Sequence, residues 1–311
     1  MTLILSAVFG DYAVQVSDRR FSYVNNVRPP DDNKNKAVIF YNQLIFAYTG
    51  LGYINGLRCD DWLTQTLVNA DSDFVDAPEP NPVYDSISYL RIQATKAFNE
   101  KDLKHCNKQL KRHAFIGVGW GTNATGQTKP VIISVSNAHT EQFKWLSEAQ
   151  NEFTYRWLTP TSAEKFPPEI IASGQEIPNE DLIRLKRNIT NSHQKGNSPE
   201  PVIRLMSEEI RKVAKKQKTV GENLMIVCLP KKANQSNEVM VLTNMAPIAK
   251  YSMKDCISSY FLSASGEIGS QFMPNTVISR GCGLKNIEIE RLNESGTDKH
   301  MKFQQVLPKK I

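Results

Sequence analysis

The sequence has few of the residues that build metal centres and covalent cross-links. Its 311 residues include five cysteines and five histidines. An odd number of cysteines without a Cys-x-x-Cys pair argues against both a disulfide framework and a zinc site. No histidine stands at a zinc-like spacing or beside a recognisable serine or cysteine partner, so histidine-based hydrolase mechanisms have little support. We therefore expect neither a metal nor a cofactor.

Long hydrophobic runs are also missing. The apolar opening, residues 1–9, has no basic segment and reaches Gly10-Asp11 after one strand's length. It therefore fits neither a signal peptide nor a membrane span, and we expect a cytoplasmic protein that does not contact a membrane. Hydrophobic residues make up 40% of the chain, which is enough to bury a full core.

Basic charge is in modest excess, with 38 Lys and Arg residues against 32 Asp and Glu residues and a net charge of +6. The basic residues concentrate at positions 101–112, 211–218 and 231–232. Since no aromatic-interleaved basic motif accompanies them, solvated helix faces explain the charge, and nucleic-acid binding is not expected. A nucleic-acid-associated protein stays open as an alternative, which salt-sensitive binding would reveal.

Hydrophobic periodicity predicts strands, helices, strands, helices and strands along the chain. The predicted strands are residues 3–9, 12–17, 37–41, 44–49, 114–120, 130–136, 152–158, 224–229, 239–242 and 286–291. The predicted helices are residues 53–67, 84–100, 181–189 and 203–213, with a polar loop over residues 190–201.

This order is expected if two antiparallel sheets lie between two helical layers. The predicted fold is therefore a four-layer αββα sandwich of the α/β (α+β) class. We assign residues 1–244 to this domain and residues 245–311 to a C-terminal extension of unknown role.

The first hairpin places a hydroxyl near a carboxylate. If the chain turns at Gly10-Asp11, positions that face each other across the strands sum to about 20 or 21. Thr2 then lies opposite Asp18 or Arg19.

The second hairpin adds an ammonium group and a backbone amide. A turn at Asn42-Gln43 places Lys36 opposite Thr49-Gly50. If the two hairpins pair side by side in one sheet, the hydroxyl, the carboxylate, the ammonium and the glycine amide meet at one edge. Such a group of side chains is a candidate reaction centre.

These segments resemble the catalytic β subunits of proteasomes and their simpler bacterial counterparts, which are N-terminal-nucleophile hydrolases. The matching residues are Met1-Thr2, Ser17-Asp18-Arg19-Arg20, Asn35-Lys36-Ala37-Val38 and Ala47-Tyr48-Thr49-Gly50-Leu51-Gly52. The intervals from Thr2 to Asp18 and from Lys36 to Gly50 equal those of the family, whereas the interval between the two pairs is longer by two residues. The resemblance is good over about the first 70 residues and looser over residues 115–229.

The resemblance implies a role for each residue. Once Met1 is removed, the Thr2 hydroxyl would attack an amide carbonyl while the freed α-amino group, which ordinarily titrates near pH ~8, takes the hydroxyl proton. Lys36, held by Asp18, would supply positive charge for the developing alkoxide. The Gly50 N–H would donate to the oxyanion.

Further residues follow from the same resemblance. Ser173, within a segment similar to the family's Ser-Gly turn, is implied to orient the threonine. Arg20 and Tyr48 are implied to lie at the substrate pocket, and the bulky ring at position 48 suggests a shallow pocket for small side chains.

Two points depart from the family pattern or stay open. Lys34 competes with Lys36 for the ammonium role, since both share a face if the chain is extended. Gln217 stands where the family has an aspartate, so that the glycine at position 221 and the hydroxyl of Thr219 are what remains of that support.

The resemblance also implies a self-assembled homo-oligomeric ring, a peptide or protein substrate, and a separate ATPase as a possible partner. We therefore predict a threonine-type peptidase that cleaves amide bonds through an acyl ester on Thr2. Two alternatives share this fold. One is a non-catalytic scaffold subunit, which retention of Met1 would favour. The other is an acylase that acts on a small amide.

Overall fold

The computed structural model describes most of the chain, with gaps mainly in its C-terminal part. The described residues are 2–21, 30–32, 34, 36–41, 43–74, 82–122, 128–159, 169–196, 198–231, 258–262, 268–269, 276–279, 282–289 and 301–308. The predicted strand 239–242 and the predicted boundary at 244–245 lie outside these residues.

Strands and helices alternate in blocks. The strands are β1 (Leu3–Val8), β2 (Tyr12–Asp18), β3 (Ala37–Phe40), β4 (Leu44–Thr49), β5 (Tyr53–Ile54), β6 (Leu57–Arg58), β7 (Ala114–Thr122), β8 (Thr128–Ser136), β9 (Thr154–Leu158), β10 (Glu169–Gly174), β11 (Leu224–Pro230), β12 (Ser258–Leu262), β13 (Ile268–Gly269), β14 (Thr276–Ser279), β15 (Cys282–Ile289) and β16 (Met301–Val306). The helices are α1 (Cys59–Phe74), α2 (Pro82–Asn99), α3 (Lys101–Lys104), α4 (Asn179–Lys195) and α5 (Glu200–Lys216).

These strands form two large sheets. The smaller has the order β10-β1-β2-β11-β12-β13, and the larger has the order β16-β15-β14-β3-β4-β7-β8-β9. Neighbouring strands run antiparallel, except that β14 pairs in parallel with β3. Strands from the C-terminal part of the chain thus join both sheets, through β12 in the smaller and β14 in the larger.

Three apolar layers hold the fold together. Side chains of α1 and α2 pack on the outer face of the larger sheet, and those of α4 and α5 pack on the outer face of the smaller sheet. The third layer lies between the sheets, where Ile4 and Val8 of β1 meet Ile39 and Ile45. The predicted four-layer αββα sandwich is therefore confirmed.

Strand β1 shows how the sequence produces this layering. Its side chains alternate between the two faces of the sheet. Leu3 and Leu5 point to the helical layer, while Ile4 and Val8 point to the other sheet. Since both faces are covered, the strand is apolar at nearly every position.

Among the described helices, none is both long and apolar enough to cross a bilayer.

From the sequence, the two hairpins were considered as neighbours in one sheet. They lie instead in different sheets. The β1–β2 hairpin has the predicted register, with Ile4 opposite Ser17. In the β3–β4 hairpin, Ala37 pairs with Ala47, at least one residue from the predicted register. The reason is the turn, where Tyr41 adopts a left-handed φ of 55° and Phe40 and Leu44 form the closing pair.

Two predicted element boundaries were also wrong. The helix predicted over residues 53–67 begins only at Cys59. The residues before it form the small β5–β6 hairpin, because Asn55 and Gly56 have φ values of 49° and 79°. Positive φ at both central residues is the geometry that Asn-Gly favours in two-residue hairpin turns. The loop predicted over residues 190–201 is mostly helical, since α4 continues to Lys195 and α5 begins at Glu200.

Candidate active site

The ends of strands from both sheets meet at Thr2. Thr2 immediately precedes β1 and is buried, with 7% of its surface exposed. Asp18 ends the neighbouring strand β2 and is fully buried. Lys36 immediately precedes β3 of the opposite sheet. The predicted group therefore forms by stacking the two hairpins face to face rather than within one sheet.

Lys36 contacts the Thr2 hydroxyl directly. Its Nζ lies 2.5 Å from Thr2 Oγ1, 2.7 Å from the Arg20 carbonyl oxygen and 3.4 Å from Asp18 Oδ1. The lysine side chain is 1% exposed. Burial lowers the pKa of Lys36, and the Asp18 carboxylate opposes that shift. The ammonium is thus aimed at the hydroxyl oxygen on which negative charge would develop.

The Asp18 carboxylate is held by backbone donors. Leu3 N–H donates to Oδ2 at 2.7 Å, and Arg20 N–H and Gly221 N–H donate to Oδ1 at 2.9 and 3.2 Å. Donors of this kind compensate a buried charge that would otherwise be costly. Asp18 therefore connects β1, the end of β2 and the segment around Gly221, while it faces Lys36.

Thr2 is also fixed through its carbonyl group. The Thr2 oxygen accepts hydrogen bonds from Thr49 Oγ1 and Gln175 N–H, each at 3.0 Å. Gly174 has a φ of 97°, and a Cβ on it would lie 1.8 Å from the Thr2 oxygen. Thr49 and Gly174 therefore help to position Thr2. The sequence interpretation missed both, although they stand inside or beside the quoted motifs.

Gly50 occupies a position that only glycine fits. Its φ is 115°, and an added Cβ would lie 2.3 Å from the Arg112 carbonyl oxygen and 2.8 Å from His113 Nδ1. The left-handed region and the close approach both exclude an ordinary side chain. The predicted oxyanion donor therefore follows β4 directly, one residue beyond the Thr49 hydroxyl that holds Thr2.

Arg20 forms a clamp beside the site. Its guanidinium binds Asp32 through two hydrogen bonds, of 2.6 and 2.8 Å, and donates to the carbonyl oxygens of Lys218 and Val220 at 2.8 and 3.4 Å. The hydrogen bond to Asp32 raises the pKa of Arg20. These contacts hold the segment that brings the Gly221 amide to Asp18, and the pocket role of Arg20 stays a prediction.

Tyr48 lies within the core beside the larger sheet. It is 2% exposed and belongs to the apolar layer between this sheet and helices α1 and α2. Its ring stacks on His113 with 6.2 Å between centroids. Burial, followed by the nearby Asp60 carboxylate, raises the pKa of Tyr48. Its assignment to a substrate pocket stays a prediction.

Ser173 contacts a buried histidine. His139 Nε2 lies 3.2 Å from Ser173 Oγ, and its Nδ1 lies 2.7 Å from Ser134 Oγ. Burial, with a smaller contribution from Arg156, lowers the pKa of His139 to about 4. The imidazole is thus neutral near pH 7 and links β10 of one sheet to β8 of the other. The sequence showed no such pairing, because His139 and Ser173 are 34 residues apart.

The remaining candidates fall outside this group. Lys34 Nζ pairs with Asp31 at 2.7 Å, whereas Lys36 reaches the threonine. Thr219 Oγ1 donates to Gln175 Oε1 at 3.4 Å, and Gln217 N–H bonds Val213 at the end of α5. Across the part of the chain that the structure describes, no group of three or more His, Cys, Asp or Glu residues is placed to hold a metal ion.

Comparison with known proteins gives a distant structural likeness. No protein-family model matches the sequence, and no curated protein matches it. Among solved structures, the chain is similar to eukaryotic HslV from Trypanosoma brucei, with 12% identity and a TM-score of 0.41. The match covers 73% of this chain and 99% of that one. At this degree of similarity the structural likeness says nothing about function.

Proposed function

We propose that this protein is a threonine-type amidohydrolase, acting as a peptidase, in which cleavage of the Met1–Thr2 bond exposes the Thr2 α-amino group. The observation that carries the proposal is the buried contact of 2.5 Å between Lys36 Nζ and Thr2 Oγ1, backed by Asp18. Burying a lysine and an aspartate beside a threonine is costly, because the ammonium and the carboxylate must both be desolvated. Such a group would rarely be buried unless it had a function.

The first step transfers the acyl group to the enzyme. Thr2 Oγ1 adds to the carbonyl carbon of the substrate amide, and the hydroxyl proton passes to the Thr2 α-amine, directly or through water. The carbonyl π electrons move to oxygen and give a tetrahedral oxyanion. When the C–N bond breaks, the proton goes to the leaving amine, and an ester on Thr2 remains.

The second step releases the acyl group. A water molecule adds to the ester carbonyl while the α-amine takes its proton, and the C–O bond to Thr2 then breaks. The α-ammonium returns the proton to Thr2 Oγ1, so that the carboxylic acid leaves and both the Thr2 hydroxyl and the α-amine are restored. Both halves need positive charge near Oγ1, which the Lys36 ammonium supplies, and a donor for the oxyanion, for which Gly50 N–H is the candidate.

The motif resemblance supports a peptide or protein substrate, a homo-oligomeric ring, an ATPase partner and a cytoplasmic location as parts of the same proposal. A ring would restrict access to the site and would make an ATPase useful for delivering unfolded chains.

Intact-mass analysis before and after treatment with a β-lactone or an epoxyketone tests the proposal. We expect loss of Met1 and a single adduct on Thr2, identified by sequencing the modified peptide. The epoxyketone is informative because its stable adduct uses both the hydroxyl and the free α-amine. Thr2→Ala removes the nucleophile and should abolish labelling, while Thr2→Ser keeps a hydroxyl and should retain it.

Other outcomes would redirect the interpretation. Retention of Met1 with no adduct would contradict the catalytic proposal and leave the scaffold alternative. Labelling of Thr2 with turnover of N-acylated small molecules, but not of peptides or unfolded proteins, would keep the mechanism and replace the substrate class.

A further inference from the structure

A buried histidine holds the turn that carries the proposed oxyanion donor. Thr49, the last residue of β4, pairs with Ala114, the first residue of β7. One position further along, Gly50 turns the chain with its φ of 115°, and the ring of His113 reaches the turn. Leu51 N–H donates to His113 Nδ1 at 3.0 Å.

This hydrogen bond determines the tautomer of the ring. A backbone N–H can only donate, so Nδ1 is the acceptor and, in the neutral imidazole, the proton is on Nε2. Nε2 lies 3.6 Å from Cys59 Sγ, which accepts weakly. Burial lowers the pKa of His113 to about 3, so the acceptor is present at any pH near neutrality.

The histidine cannot easily move. Its backbone N–H donates to Asn137 Oδ1 at 2.8 Å, and its carbonyl oxygen accepts from Ser136 Oγ at 2.8 Å. Its ring lies among aromatic rings, with centroid distances of 4.6 Å to Phe115 and 5.3 Å to Phe98. An imidazole fixed in this way presents its acceptor in one direction.

The turn is restrained on both sides. Its first residue, Gly50, lies so close to His113 that an added Cβ would be 2.8 Å from Nδ1. At its other end, the Gly52 carbonyl oxygen accepts from Cys59 N–H at 2.8 Å. The peptide between Gly50 and Leu51 lies beyond the end of β4. It is therefore oriented by these contacts and not by the hydrogen bonds of the sheet.

We infer that His113 is a positioning residue: by accepting from Leu51 N–H and packing against Gly50, it fixes the backbone of the turn at Gly50 and so keeps the Gly50 N–H directed at the oxyanion. The inference rests on the proposed function, since the direction of Gly50 N–H affects catalysis only if Thr2 is the nucleophile. Its role differs from that of a general base, because the lone pair on Nδ1 is already used by the backbone.

Paired substitutions separate this role from simple packing. In His113→Asn the side-chain carbonyl oxygen falls near the position of Nδ1 and can accept from Leu51. In His113→Gln the amide reaches the position of Nε2 and leaves Leu51 N–H without its acceptor. Both variants are polar and uncharged, so any loss of stability from desolvation is similar.

The expected result is a difference in kcat. We expect His113→Gln to lower kcat by about 10- to 100-fold with KM changed less than about threefold, and His113→Asn to stay within about fivefold of the wild type. His193→Leu is a matched control at a buried histidine, because His193 contacts Tyr12 and Phe9 at the end of β2 that lies about 20 Å from Asp18. It should lose stability without loss of kcat per folded molecule.

Amide hydrogen exchange at Leu51, measured by NMR, distinguishes failure of the inference from failure of the proposed function. Protection should be lost in His113→Gln and kept in His113→Asn, even if the wild type never labels at Thr2. If the wild type turns over substrate but the two variants have equal kcat and equal Leu51 exchange, His113 has no positioning role. If His113→Asn is as impaired as His113→Gln, the acceptor at Nδ1 is not what matters and the inference is wrong.

Discussion

At the scale of single residues, the site depends on a lysine whose surroundings make its charge useful. Lys36 Nζ has three oxygen neighbours, from Thr2, Arg20 and Asp18. Asp18 is held by three backbone N–H groups, and Thr2 is held through its carbonyl oxygen. The ammonium therefore has one position available. A side chain held in this way stabilises developing negative charge without reorganising during the reaction.

Replacing Lys36 with methionine should abolish this effect while keeping similar volume. We expect the rate of peptide cleavage per folded molecule to fall by about 10²-fold or more, because the alkoxide and the oxyanion lose their nearest cation. Lys36→Arg should not rescue activity, since the planar guanidinium does not fit the 2.5 and 2.7 Å contacts of a single nitrogen. Steady-state kinetics check this, and wild-type turnover in Lys36→Met would contradict the assigned role.

The buried histidines predict how stability changes with pH. Burial lowers the pKa of His113 to about 3 and that of His139 to about 4, whereas a histidine in the unfolded chain titrates near about 6.5. Below that pH the unfolded chain binds protons that the folded chain excludes. Stability is therefore complete above pH ~6.5 and is lost as the pH falls toward the folded-state pKa values.

For each histidine, the free energy of unfolding should decrease by up to about 1.4 kcal/mol per pH unit in this window. Urea denaturation between pH 7 and pH 5 measures the slope. His113→Asn removes one titrating group and should reduce it, and an unchanged slope in that variant would show that His113 binds protons in the folded protein as readily as in the unfolded chain.

At the scale of elements, turns decide how the strands present the site. The register of the β1–β2 hairpin was predictable, because a compact turn at Gly10-Asp11 leaves little freedom. The register of β3–β4 was not, since Tyr41 adopts a left-handed conformation that is uncommon for a bulky residue. The Asn55-Gly56 turn was readable from its sequence, but the helical spacing of the apolar residues around it obscured the signal.

Two glycines allow a matched test of turn and site. Gly174 and Gly56 both have positive φ, of 97° and 79°. A Cβ on Gly174 would lie 1.8 Å from the Thr2 oxygen, whereas a Cβ on Gly56 would have nothing within 4 Å. Alanine at either position costs about 1 kcal/mol or more for the left-handed backbone.

We expect Gly174→Ala to displace Thr2 and to lose labelling by the β-lactone. Gly56→Ala should lose stability by about 1 kcal/mol and keep labelling. Denaturation and adduct mass measured together check this prediction. Equal labelling of the two folded variants would mean that Thr2 is not held by the end of β10.

At the scale of the whole molecule, the site depends on how the two sheets are stacked. Thr2 and Asp18 come with the smaller sheet, and Lys36, Thr49 and Gly50 come with the larger. The four layers could be predicted from the order of elements. The assignment of each hairpin to a sheet could not, because both hairpins are apolar on both faces, and nothing in their pattern distinguishes pairing side by side from stacking.

Overpacking between the sheets should therefore affect catalysis more than overpacking elsewhere. Ala47 lies in the layer between the sheets, and Ala94 lies between α2 and the larger sheet. Leucine at either position should destabilise the fold by about 1–3 kcal/mol. We expect Ala47→Leu also to lower kcat, because it separates Thr2 from Lys36, and Ala94→Leu to keep kcat per folded molecule.

Kinetics corrected for the folded fraction measure this difference. If both variants lose kcat equally, the site is sensitive to packing in general and not to the distance between the sheets.

The hydrogen bond from Thr49 to the Thr2 carbonyl joins the two sheets at the nucleophile itself. In a nascent chain whose sheets have not yet docked, the Thr2 hydroxyl and the Lys36 ammonium are apart, and the hydroxyl is therefore unreactive. Under the proposed mechanism, reactivity would appear only with the last step of folding, and neighbouring proteins would be safe from partly folded copies of this one.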